Sequence, residues 1–149
     1  MKLLQSILFL LLTTSFSMLA TAQDLIVKQS NNDHETTLKK LKFGINDMGL
    51  NLVQHIDHAE AAGKANMDLN PTDVLIFGNP EVGTKLMKEN PQVAIELPLK
   101  ILVYKEGSIT FIGYENPNRL IQTYQLDNQR EVLSKMKEAL EKITDEAIH

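Results

Sequence analysis

Apolar residues recur along this chain in two distinct periods, and the switch between them marks out the elements. Val74, Leu75, Ile76 and Phe77 form an unbroken apolar run, too short for an independent helix and suited to a central strand. Gly78, Asn79 and Pro80 follow: a residue that lets the backbone turn, a residue that caps, and a residue at home in the first turn of a helix. Val82, Leu86 and Met87 then predict a short helix facing a sheet, ending by Asn90 because Pro91 disfavours a helical residue before it. From Val93 to Tyr104 the period returns to two. Leu97, Leu99, Ile101 and Val103 lie on one face and Lys100, Leu102 and Tyr104 on the other, with Pro98 marking an edge, a bulge or a strand entrance.

Upstream, Asp24–Gln29 reads as a first strand and Asn31–Asp33 as turn and cap. Leu38, Leu41, Ile45 and Met48 recur at helical spacing, Lys39, Lys40 and Lys42 point outward, and Gly49 is placed to end the helix in a left-handed conformation. Leu50 to Ile56 alternates as a half-buried strand, with Leu50, Leu52 and Ile56 on one side and Asn51, Val53 and His55 on the other. A hairpin over Glu106-Gly107 leads to a returning strand through Ile109, Phe111 and Tyr114, and a helical turn spans Asn118–Tyr124. The last helix, capped by Asp127 or Asn128, carries the stripe Val132, Met136, Leu140 and Ile143, with Ala139 and Ala147 beside it. Two apolar helical stripes and one sheet predict an α+β domain of two layers, both long helices on one face.

The first residues stand apart. Lys2, the almost wholly apolar run Leu3–Leu12 and the small residues Ala20-Thr21-Ala22 have the pattern of a signal peptide cleaved after Ala22. The apolar run is well short of the ~20 residues that cross a bilayer. The expected division is therefore a leader over 1–22 and one domain over 23–149, exported through the inner membrane to the periplasm or the medium, with no stable membrane insertion after cleavage. The chain has no Cys, which excludes disulfides, thiolate chemistry and a lipid anchor on sulfur. Its formal charge is -4, or -5 once Lys2 leaves, without a run of like charge. With only 5% aromatic residues and no Trp, it lacks both the basic surface and the stacking platforms of a nucleic-acid binder.

Three places carry candidate chemistry. His55, Asp57, His58 and Glu60 lie within six residues and bring two imidazoles and two carboxylates to a divalent metal or an acid/base reaction. Against this, Asp57 and Glu60 have the spacing of a capping box opening a helix toward Gly63, and a His at a strand end commonly bonds to backbone. The loop Gly78–Thr84 offers helix-start amides to an anion, though Glu81 opposes a phosphate and Asn79 also fits a purely structural cap. Lys100 with Tyr104 and Tyr114 forms a polar pocket if the three share one sheet face; side chains rimming a sheet give the same pattern.

Several unlike motifs, in order, resemble one family. Phe77-Gly78-Asn79-Pro80 with Gly83-Thr84, then Asn90-Pro91, Glu96-Leu97-Pro98-Leu99-Lys100 and Tyr114-Glu115-Asn116-Pro117, together with His55-Ile56-Asp57-His58-Ala59, resemble domain-of-unknown-function family 302 over about Asp24 to Ile143. The resemblance implies a TATA-binding-protein-like arrangement of strand, helix, four strands and helix, with a curved, mainly antiparallel sheet and frequent pairing as a homodimer. It implies no reaction. Three functions are then in play: a non-catalytic domain binding a small ligand or a protein through residues such as His55, His58, Asn79, Lys100 and Tyr104, with no cofactor; a metal or hydrolase-like acid/base site at His55, Asp57, His58 and Glu60; and an adaptor role in the envelope.

Overall fold

The computed structural model describes residues 25–149; the leader expected over 1–22 lies outside them. Five strands form one antiparallel sheet: β1 (Leu25–Ser30), β2 (Asn51–Asp57), β3 (Thr72–Gly78), β4 (Leu99–Glu106) and β5 (Ile109–Glu115), in the order β1-β5-β4-β3-β2. The helices are α1 (His34–Asp47), α2 (His58–Lys64), α3 (Pro80–Glu89), α4 (Arg119–Thr123) and α5 (Arg130–Ile148). The apolar stripes of α1 and α5 lie on one face of the sheet, where Leu41, Ile45, Leu140 and Ile143 close over Leu75, Phe77, Ile101, Val103 and Ile112. This is the expected two-layer α+β architecture, with its short extra helices.

Local chemistry explains the boundaries. Asp33 caps α1 by accepting from the Thr36 amide, and Gly49 ends it at φ 66°, a conformation that a side chain would strain. Asn79 caps α3 through the Glu81 amide, with Pro80 at the first helical position. The β4–β5 hairpin turns through Gly107-Ser108, and Gly107 has φ 60° at the position that type II′ turns give to glycine. A second apolar cluster, Leu86, Val93, Leu120, Ile121, Leu126, Leu133 and Met136, joins α3 and α4 to the first half of α5.

Four expectations are corrected. Val93 to Glu96 is not strand: Asn90 caps a 3-10 helix over Pro91–Glu96 by accepting from the Gln92 amide, and β4 begins only at Leu99. The alternation of β2 breaks where its register against β3 shifts between Leu52 and Gln54, so Leu52 stands opposite Phe77 while Ile56, opposite Val74, points the other way. Neither Asp127 nor Asn128 caps α5; Asp127–Gln129 forms a 3-10 turn, and Leu133 rather than Val132 enters the core. Tyr114 does not share a face with Lys100 and Tyr104, because β4 and β5 pair with Leu102 opposite Gly113, which turns Tyr114 into the core.

On the other face of the sheet, Val74, Ile76, Leu102, Tyr104 and Phe111 are half-buried and belong to neither core cluster, and Val27 and Ile109 are exposed.

Candidate functional site

The capping chemistry of the His55–Glu60 corner is local, and it disperses the four residues. Asp57 accepts from the Glu60 amide as the cap of α2, Glu60 pairs with Lys64 one turn on, and His58 is the exposed first residue of that helix. His55 has partners of its own. Its Nε2 donates to Asp73 Oδ1 at 2.5 Å, and its Nδ1 lies 3.2 Å from Lys42 Nζ. A lysine ammonium only donates, so Nδ1 accepts and the ring proton sits on Nε2.

Asp73 is the centre of this corner. It is 3% exposed, sits at the start of β3 under the first turn of α1, and receives a second imidazole: His34 Nε2 lies 3.0 Å from Asp73 Oδ2, off the axis of a hydrogen bond and without another partner. Lys42, His55, Asp73 and His34 thus form a continuous polar seam between α1 and the β2 edge of the sheet. Sequence reasoning found His55 but missed Asp73, His34 and the inward reach of Lys42. The missed signal was the strand period itself: Phe77, Leu75 and Asp73 are successive inward positions of β3. Both imidazoles rest directly on the carboxylate. Among the described residues no group of three or more His, Asp or Glu is arranged to hold a metal ion.

Lys100 and Tyr104 also have structural partners. The Lys100 ammonium donates to the Glu96 and Pro98 carbonyls at the end of the 3-10 helix, and Tyr104 stacks on Phe111 with centroids 5.4 Å apart. Tyr114 packs inside, beneath the Lys28 ammonium at 5.5 Å. Nearby, Arg119 bridges Glu96 and Glu115, and the Tyr124 hydroxyl donates to Glu96. Burial pushes the Glu96 carboxyl up, but Tyr124 and Arg119 together outweigh it and hold it below its ordinary value. The shared carboxylate, ahead of burial, pushes the Tyr124 hydroxyl up.

Of the candidate binding residues, Asn79 alone lines a large pocket, where it also caps α3. A pocket of about 620 Å³ opens between the start of β2, the β3–α3 turn, α3, the approach to β4 and the middle of α5. Its walls are mainly apolar, with Val82, Met87, Leu97, Leu99, Val132 and Met136 among them. Its polar groups are few, namely Asn51, Asn79, Thr84, Lys85 and Lys135. Gly83 helps create the space, since a Cβ there would stand 3.6 Å from the Leu97 Cδ1 and 3.8 Å from the Met87 Cε. A concave apolar site of this size with a few polar groups is the common form of a small-molecule site.

This chain resembles several known proteins. It is 30% identical over 112 residues to the fluoride-specific ion channel FluC 1 of Brucella suis, covering 74% of this chain and 44% of that protein. The FluC 1 of Brucella abortus and the FluC 2 of Brucella melitensis match at 30% over the same length, with 42% of each covered. The chain thus spans less than half the length of these curated relatives. The crystal structure of an uncharacterized conserved DUF302 protein from Bacillus stearothermophilus superposes with a TM-score of 0.77 at 21% identity, over 86% of this chain and all of that one. The model of the family described as "Domain of unknown function DUF302" matches residues 26–144, nearly the whole described fold, and the chain belongs to that family.

Proposed function

We propose that this domain is a non-catalytic binding module whose ligand is a small, largely apolar molecule held in the pocket between α3, β2 and α5. The observation that carries this reading is the 620 Å³ apolar cavity, with Asn79 on its wall. The pocket is half open to solvent, and Val82, Met87, Leu97, Leu99 and Val132 on its walls are only half-buried, so it presents apolar surface that the fold itself does not cover. Gly83 supports the same reading, because glycine inside a helix weakens it by ~0.5–1 kcal/mol relative to Ala and here leaves room rather than enabling a turn. The seam around Asp73 serves stability instead, for its imidazoles are engaged with a buried carboxylate and none of its members lines the pocket. Fluoride transport, named for relatives more than twice as long as the matched stretch, is not carried over to this chain.

The test is displacement of a neutral fluorescent reporter, N-phenyl-1-naphthylamine, from the purified protein. Saturable one-to-one uptake that disappears in Val82→Trp, with an unchanged circular dichroism spectrum, is expected. Uptake that never saturates, or that survives filling the pocket, would remove the proposal.

A second reading has its own observation. The side of the sheet opposite α1 and α5 presents Val27, Ile109, Leu102, Phe111 and Val74 as an apolar surface, and we propose that a second copy of the chain covers it. Light scattering that gives a monomer at micromolar concentration, unchanged by Leu102→Glu, would refute this. Export behind the leader of residues 1–22 completes the proposal; it predicts a mature N-terminus at Gln23, read by mass spectrometry of the protein recovered outside the inner membrane.

A further inference from the structure

We infer that the ligand of this pocket is an amphipathic anion, an unbranched acyl chain ending in a carboxylate, with its tail along the apolar walls and its head at Lys85 and Lys135. This rests on the binding reading above and adds the chemistry of the ligand. The chain as a whole is acidic, with 19 Asp and Glu against 15 Lys and Arg, yet the pocket lining contains two lysines and no carboxylate. The local sign of charge is therefore opposite to that of the molecule.

Both ammonium groups are available to a ligand. Lys85 is exposed on α3 and makes no ion pair among the described residues. Lys135 pairs with Glu131 at 2.6 Å, but their side chains are 70% and 82% exposed, and a solvated pair of this kind is worth so little that Lys135 exchanges partners readily. Glu131 itself does not line the pocket. Of the remaining polar groups, Asn79 has committed its Oδ1 to the Glu81 amide, which leaves the Nδ2 donor for an anion, while Thr84 and Asn51 can donate or accept.

The tail follows from the walls. Val82, Met87, Leu97, Val132 and Met136 carry no charge, and two of them are methionines, whose flexible thioethers conform to chains of varying shape. Its volume of about 620 Å³ lies within the ~300–1,000 Å³ usual for small-molecule pockets, ample for a medium-length chain. A neutral apolar ligand would use the walls and leave both lysines idle; a cation would meet two like charges at the mouth.

The experiment compares dodecanoate, dodecanol and dodecyltrimethylammonium, each below its micelle concentration, as displacers of N-phenyl-1-naphthylamine from the wild-type protein, from K85E and from K85E/K135E. The expected order in the wild type is dodecanoate, then dodecanol, then the ammonium. K85E should weaken dodecanoate about tenfold and leave dodecanol within about twofold, and the double variant should bind the ammonium better than the acid. Both lysines are exposed, so these variants are expected to fold, with circular dichroism as the check. If dodecanol displaces as well as dodecanoate and K85E changes neither, the anionic head is refuted while the binding function stands. If none of the three competes although the reporter binds saturably in the pocket, the acyl class is refuted. Failure of the reporter itself to bind removes the binding reading and this inference with it.

Discussion

Replacing Asp73 by Ala should be among the most damaging single changes to this fold that leave the apolar core intact. The side chain is 3% exposed and accepts from His55 Nε2 at 2.5 Å while lying 3.0 Å from His34 Nε2. Loss of a hydrogen bond to a charged group costs ~1.5–3 kcal/mol. His55, with a side chain 31% exposed, can recover water, and His34, whose Nε2 has no hydrogen bond in the folded protein, loses only its close approach to the carboxylate. Set against this is the relief of no longer desolvating a carboxylate. The net expectation is about 2 kcal/mol, or roughly 7 °C in Tm for a domain of this length. Asp73→Asn keeps the size and an acceptor oxygen but loses the charge, and should cost about half as much. Urea unfolding at neutral pH reads both values, and the Asp73→Ala/His55→Ala cycle should give a coupling of at least ~1 kcal/mol. An Asp73→Ala protein within 0.5 kcal/mol of wild type, or a cycle with no coupling, would refute the seam as a stabilising network.

The other predictions concern separate parts of the molecule. The Glu96 carboxyl is held below its ordinary value of 4.5, so its contribution is full above that pH and is lost as pH falls through the lower folded value; Glu96→Gln should cost ~1–2 kcal/mol at pH 7 and flatten the acid limb of a stability–pH profile. Gly83→Ala places a Cβ at ordinary contact distance from Leu97, so it should raise stability by ~0.5–1 kcal/mol while weakening reporter uptake, measured by urea titration and fluorescence. Asp57→Ala removes the cap of α2 and should cost ~1 kcal/mol, whereas His58→Ala, at an exposed position, should stay within ~0.5 kcal/mol; a large loss in the second variant alone, seen by thermal unfolding, would show that His58 does more than begin a helix. Phe77→Ala empties a fully buried position and should cost ~3–5 kcal/mol by chemical denaturation.

The elements that could be read from the chain are those whose signals are periodic and local. The stripe of α1, the stripe of α5 and the run from Val74 to Phe77 each repeat often enough for residues a few positions apart to agree, and Asn79 and Asp57 cap the helices they precede. What escaped was made by distance. Asp73 meets His55 across 18 residues of chain and His34 across 39, and no local pattern joins them. Lys42 was placed outward by helical spacing, yet its long stem lets the ammonium reach His55. The pocket was equally hidden, since its walls come from residues between Leu50 and Ala139, and the 3-10 helix beside it, with Leu97 at its end, replaced an expected strand. Asn79 was visible as a residue of interest only because a cap and a cavity wall happen to coincide there.

The order in which this sheet is assembled follows from where β1 finds its partners. That strand pairs only with β5, and the turn after it is fastened to the far end of α5, where the Asn31 amide donates to the Ile148 carbonyl and the Asn32 side chain to that of Ala147. The first strand of the domain thus cannot pair until β5 has emerged, and its following turn cannot be fastened until the end of α5 has. A nascent chain must remain incomplete throughout its synthesis, and its folding speed is governed by the slow search that joins such remote stretches.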